Sequence, residues 1–322
     1  MPSVLKRALA LAALAFAVAA GSAGADEPKN VAEIQSAHDR ALIRDLLAYL
    51  ARSPKADDVD QAYMKVFDKV IEHDWFADHE GVARKYLADY PAGPVRSLAQ
   101  IVVTMGRAQA GDFKDALRSF DALMAGLGGS DQEEFATNFA DSLATAATVA
   151  GEHQAARKVY QGLLRKFADS PTLPQKVRDE LAKLDRVGTL APSVAVVDVN
   201  GSPLRLEDYR GKYVLVDFWA TWCSPCIAEL PRLQAAFAKH HDQGFEVIAV
   251  SLDDTKAAVV DFAKGRKLSW RQVHNATSNG DLVDAFGVRT IPATFLIDPK
   301  GTIIRLELRG PALDKALDAI WK

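Results

Sequence analysis

Cysteine is almost absent from this chain: 322 residues hold two, Cys223 and Cys226. That is too few for the many-bridged framework with which small secreted domains replace a missing core. An excess of one charge is lacking as well. Lys and Arg number 39 against 42 Asp and Glu, a formal net charge of -3 with no long basic run. A nucleic-acid footprint is therefore excluded, and electrostatics selects no partner. Long apolar runs are also missing. The stretch from Ala8 to Ala20 is shorter than the roughly 18 residues that cross a bilayer, and no later segment reaches that length. No transmembrane segment is expected in the mature chain.

What is present begins with an export signal. Lys6 and Arg7 precede the apolar run, and Ala23-Gly24-Ala25 supplies the small residues a signal peptidase accepts. Residues 1-25 are read as a signal peptide, and the mature protein as soluble and exported, to a periplasmic or other extracytoplasmic space. No cysteine near that site could carry a lipid, although an uncleaved signal could itself serve as an anchor.

The remainder exceeds what one core usually organises, and its composition changes part-way. Residues 26-188 carry Ala, Leu and charged residues at helical spacing; from residue 189 to 322, short β-branched and aromatic runs alternate with helices. Two domains are expected, parted near Val187-Gly188-Thr189.

In the first, Val59, Tyr63, Val66, Phe67, Val70 and Ile71 mark one buried helical stripe. Pro and Gly breakers divide the region into about eight helices. Ala110-Gly111-Asp112-Phe113 with Ala116 and Phe120 lines up about 40 residues later with Ala150-Gly151-Glu152-His153, Ala156 and Tyr160, and a fainter echo begins at Gly81. The pattern resembles the turn and second helix of tetratricopeptide-like repeats, with a period longer than theirs; any helical-hairpin array in an Ala-rich chain shows similar turns. Such an array could dock a substrate or partner, or serve as a packing appendage. His38, His73, His79 and His153 are read as solvated surface residues and not as metal ligands.

In the second, both cysteines lie in Trp222-Cys223-Ser224-Pro225-Cys226, directly after the apolar run Tyr213 to Trp219. Thiols at that spacing, where a buried strand passes into a helix, suit reversible disulfide exchange. A zinc finger with His240 or His241 fails on distance, since the intervening helix would place them about 21 Å from Cys226.

The run Val216-Asp217-Phe218-Trp219-Ala220-Thr221-Trp222-Cys223-Ser224-Pro225-Cys226, then Glu229, Pro231 and Ile291-Pro292, resembles the thioredoxin superfamily and, within it, the exported TlpA and ResA-like branch. The resemblance covers residues 189-322. It implies an α/β thioredoxin-like fold, a central mixed sheet flanked by helices, preceded here by an all-α helical-hairpin domain. By the same resemblance Cys223 is the nucleophile, Cys226 the resolving thiol and Asp217 a buried proton acceptor. Cys226 is expected to be the less exposed of the pair. Glu229, three residues beyond Cys226, is expected to oppose thiolate formation and so favour a reductant, an ordinary surface Glu in the first helical turns being the competing reading. Pro292 is expected in the cis form, and Trp222, Ile291 and Pro292 are expected to bind substrate. A peroxiredoxin would carry Pro and Thr or Ser where Val216 and Ala220 stand.

The expected activity is reduction of protein disulfides by mixed-disulfide exchange. No cofactor or metal is expected beyond the redox-active Cys223-Cys226 pair. The partners are a protein disulfide substrate and an upstream electron donor, a membrane thiol carrier being one candidate. Two other readings stand beside it: a disulfide oxidase or isomerase, and a helical scaffold with an accessory redox domain.

Overall fold

The structure, a computed structural model, describes residues 30–321. The expected signal peptide lies outside the described residues. The chain divides into two compact units between Val177 and Arg178, eleven residues before the expected boundary, counting from 178 to 189. Residues 186–188 show why: Arg186 Nη1 donates to the Ala285 carbonyl at 2.8 Å, and the Gly188 N–H donates to the Ile303 carbonyl at 2.8 Å. These bonds hold the intervening segment on the second unit.

The first unit is helical. Among the described residues, eight helices precede the first strand: α1 (Val31–Arg52), α2 (Val59–Glu72), α3 (Phe76–Asp89), α4 (Arg96–Gln109), α5 (Phe113–Gly126), α6 (Glu133–Ala150), α7 (His153–Lys166) and α8 (Leu173–Leu184), the division between the units falling within α8. The α2 stripe is buried along its whole length. The two strong sequence echoes share one geometry. Gly111 (φ 79) and Gly151 (φ 82) are left-handed. In each turn the next residue's N–H reaches back to a helix carbonyl, Asp112 to Arg107 and Glu152 to Ala147. Gly is suited to both positions because a Cβ is disfavoured there. Ala116, Phe120, Ala156 and Tyr160 are all buried behind these turns. The echo at Gly81 is no turn: Gly81 lies inside α3, and the left-handed residue between α2 and α3 is Asp74 (φ 56).

Three of the four histidines read as solvated are partly buried. His73 is 18% exposed at its side chain and bonds the buried Asp39 through Nε2 at 2.9 Å. His79 Nδ1 meets the Trp75 carbonyl, and His153 is half-buried; His38 alone is well exposed, at 72%. Burial would raise the proton affinity of Asp39, but His73, Lys69, Gln35 and His38 outweigh it and hold the carboxyl well below the usual range. Helical spacing could not show this, because the partners come from a different helix.

The second unit opens with a hairpin, β1 (Val196–Val197) and β2 (Pro203–Leu204), around Asn200-Gly201. Five strands form the main sheet: β3 (Tyr213–Trp219), β4 (Phe245–Ser251), β5 (Arg271–His274), β6 (Ala293–Ile297) and β7 (Ile303–Leu306), in the order β5-β4-β3-β6-β7. β3 runs parallel to β4 and antiparallel to β6. The helices are α9 (Ser224–His240), α10 (Lys256–Gly265), α11 (Leu282–Phe286) and α12 (Pro311–Ile320). Successive β3 side chains face opposite ways. Leu215 and Trp219 pack with Cys223, Cys226, Leu230 and Leu233 on one face. Phe218 meets Phe286 and Phe295 on the other, with centroids 5.4 and 5.8 Å away. Burying such side chains is worth about 1.5–3 kcal/mol each. Asp217 shares the parity of Leu215 and Trp219, so the sheet turns it toward the face that carries the cysteines.

Candidate active site

Cys223 ends the loop after β3 and caps α9: its backbone is extended (φ -85, ψ 92), and its Sγ accepts the Cys226 N–H at 3.3 Å. Pro225 falls in the first turn of α9, where its missing N–H leaves no internal bond unmade. The two sulfurs form a disulfide, S–S 2.03 Å with Cα atoms 5.3 Å apart. Both residues are buried, at 5% and 4% exposure, so the expected difference in exposure is not seen in the disulfide form. What distinguishes them is the cap. The Cys226 N–H at the start of α9 points at Cys223 Sγ, and the positive end of the helix favours its thiolate.

The loop is braced from β4. Asp253 is buried; its carboxylate takes the Thr221 N–H at 3.1 Å, the Thr221 hydroxyl at 2.5 Å and the Ser251 hydroxyl at 2.7 Å. Beside it Trp222 is 64% exposed, one of few large apolar side chains left to solvent. The Ile291-Pro292 peptide is cis, and Ile291 packs against the cluster that holds both cysteines.

Two carboxyl groups complete the centre. Burial pushes Asp217 up to about 7, with Arg309 opposing the rise and Glu229 adding to it. Glu229 is half-buried, and its Oε2 accepts the Gly310 N–H at 2.7 Å. Arg309 itself donates through Nη2 to the Pro292 carbonyl at 2.8 Å and pairs with Glu307. The structure thus gathers Cys223, Cys226, Asp217, Glu229, Ile291 and Pro292 at one end of the sheet, with Trp222 at the rim.

Among the described residues, one group of possible metal ligands, Asp39, Glu72 and His73, lies in the first unit with ligand atoms within 4.8 Å of one another. Lys69 Nζ sits 3.1 Å from Asp39 and 2.7 Å from Glu72, so an ammonium already answers both carboxylates.

Known proteins share the second unit. Residues 187–306 match the AhpC/TSA family. The thiol-disulfide oxidoreductase ResA of Bacillus thuringiensis subsp. konkukian is 34% identical over 136 residues, which are 42% of this chain and 77% of that protein. ResA of Oceanobacillus iheyensis is 36% identical over 137 residues, 41% of this chain and 70% of that one. The chain belongs to the ResA family of thiol-disulfide oxidoreductases. The solved thioredoxin domain of a thiol-disulfide oxidoreductase from Bacteroides vulgatus is 32% identical, and the match covers 42% of this chain and 98% of that domain with a TM-score of 0.40.

Sequence reasoning about this oxidoreductase missed Asp253, Glu307, Arg309 and Gly310. An Asp two residues past a buried strand, and an Arg-Gly pair after the last strand, were available signals. Neither has a fixed spacing from the cysteines, so only the folded sheet brings them to the motif.

Proposed function

We propose that the enzyme is exported and reduces disulfides in protein substrates, using the Cys223–Cys226 dithiol and no other cofactor. The observation that carries this reading is Cys223 Sγ at the cap of α9 with the Cys226 N–H directed at it. A thiolate placed there attacks one sulfur of a substrate disulfide; the other substrate sulfur leaves as a thiolate, and a Cys223–substrate disulfide forms. Asp217 then takes the Cys226 proton. The Cys226 thiolate attacks Cys223 Sγ, the bond to substrate breaks, and the second substrate sulfur leaves. The enzyme ends as the Cys223–Cys226 disulfide, and the substrate has gained two electrons and, with solvent protons, two thiols.

Trp222, Ile291 and Pro292 offer the apolar contacts that an unfolded or flexible disulfide segment would use. Glu229, a carboxylate near the pair, disfavours thiolate and so favours the reducing direction. An upstream dithiol donor, for which a membrane thiol carrier is the candidate, restores the reduced pair. The Lys6-Arg7 start, the apolar run and Ala23-Gly24-Ala25 support an extracytoplasmic site.

Cys226→Ser should trap substrates as disulfide-linked adducts at Cys223, visible on non-reducing gels, whereas Cys223→Ser should trap none. Recovery of no adduct from the first variant would count against a substrate reductase. The reduction potential settles direction: a value near that of glutaredoxins or lower fits a reductase, and one near that of DsbA fits an oxidase.

A further inference from the structure

The segment that follows β7 is held against the redox centre by bonds that leave one cation in an unusual place. Thr294 is the cross-strand neighbour of Asp217 in the β3–β6 ladder. Its carbonyl accepts the Glu307 N–H at 3.0 Å, and its hydroxyl donates to the Leu308 carbonyl at 3.3 Å. Glu307 adopts a left-handed conformation (φ 57) that a residue with a Cβ rarely takes. Such a residue persists where its surroundings fix it, often at functional sites. Here its carboxylate pairs with Arg309. Arg309 also bonds the Pro292 carbonyl, the next residue's N–H is taken by Glu229, and the Arg309 Nε is buried without a hydrogen-bond partner.

We infer that Arg309 is a positioning residue of the redox centre: anchored by Glu307 and the Pro292 carbonyl, its guanidinium opposes protonation of Asp217 and so helps to set the pH range in which Cys226 resolves the mixed disulfide. The inference rests on Asp217 being the acceptor of the Cys226 proton. The charged groups whose fields act on Asp217 are Arg309, from the segment after β7, and Glu229, from α9. Its ladder neighbours, Ala249 on β4 and Thr294 on β6, carry no charge. Burial and Glu229 favour the protonated carboxyl, and Arg309 is the group that opposes them. The same guanidinium touches the loop of Pro292, so the substrate-facing backbone and the proton acceptor share one support. A basic residue is unremarkable after a surface strand; this one is singled out by what it bonds.

The resolving step can be read alone. With two cysteines in the chain, reduced full-length protein mixed with an aromatic disulfide such as dithiobis(nitrobenzoate) releases one coloured thiolate when Cys223 attacks and a second when Cys226 resolves. The rate of the second phase should rise with pH as Asp217 ionises. Arg309→Gln should move that rising limb up by roughly one pH unit or more, a loss of about tenfold in rate on the limb. Arg309→Lys should return it most of the way, and Glu229→Gln should move it the opposite way.

An Arg309→Gln limb that stays in place while Asp217→Asn flattens it overturns the inference and leaves the role of Asp217 standing. A limb indifferent to Asp217→Asn removes the proton-acceptor reading and this inference with it. If Arg309→Gln does not fold, Arg309→Lys and Glu229→Gln decide: a limb that Lys displaces by a full unit, or that Glu229→Gln leaves unmoved, shows that charge at this position does not act on Asp217.

Discussion

A carboxyl group buried on the central strand leaves a thermodynamic signature. Asp217 titrates near 3.8 when unfolded and about 7 when folded. Below pH 3.8 both states hold the proton and the group contributes nothing to the pH dependence of stability. Between those values only the folded state holds it, so stability falls as pH rises, by about 4 kcal/mol over the whole interval. Asp217→Asn should abolish this slope. Urea unfolding at pH 5 and pH 8, followed by tryptophan fluorescence, checks it; equal losses in wild type and variant would show that Asp217 is not the group responsible. Asp217 was legible as a candidate because a charge interrupts an apolar run, where burial is costly without a purpose or partner. Arg309 was not, since its importance lies in the Pro292 carbonyl and the Asp217 carboxyl, both far from it in sequence.

Elements are set by shorter-range chemistry, and there the sequence reads well. The apolar run Tyr213 to Trp219 is a strand over its whole length, and the helix expected after it begins at Ser224, inside the cysteine motif. The differences sit at ends, where side-chain pattern gives way to capping. After β2, Leu206 starts a short 3-10 helix through Tyr209. The end of α10 shows a cap that the sequence does not advertise. Leu268 N–H bonds the Ala263 carbonyl and Lys267 N–H the Lys264 carbonyl, the two bonds of a Schellman turn, with Lys267 left-handed at φ 54. Glycine normally fills that position because a Cβ there crowds the backbone. Lys267 is exposed, so Lys267→Gly should stabilise the domain by about 1 kcal/mol. A thermal midpoint that fails to rise in the variant would refute this account of the cap.

At the scale of the whole molecule, the two units divide before residue 178. A fragment starting at Arg178 should therefore keep the Arg186–Ala285 and Gly188–Ile303 bonds, and one starting at Thr189 should lose both. The shorter fragment should be less stable by roughly 1–3 kcal/mol, as expected when buried partners are left unmet. Chemical denaturation of the two fragments compares them; equal midpoints would show that residues 178–188 contribute nothing. No helix among the described residues is long and apolar enough to cross a membrane.

The sequence by itself determined the division into a helical and an α/β half, the order of elements and the dithiol motif, because periodicity, breakers and cysteine spacing are local properties of the chain. Tertiary structure decided which distant groups meet. Asp253 under Thr221, Gly310 on Glu229, Arg309 on the Pro292 carbonyl, and His73 on Asp39 join residues 32, 81, 17 and 34 positions apart. Spacing along the chain carries no information about such pairs; strand register and helix packing alone bring them together.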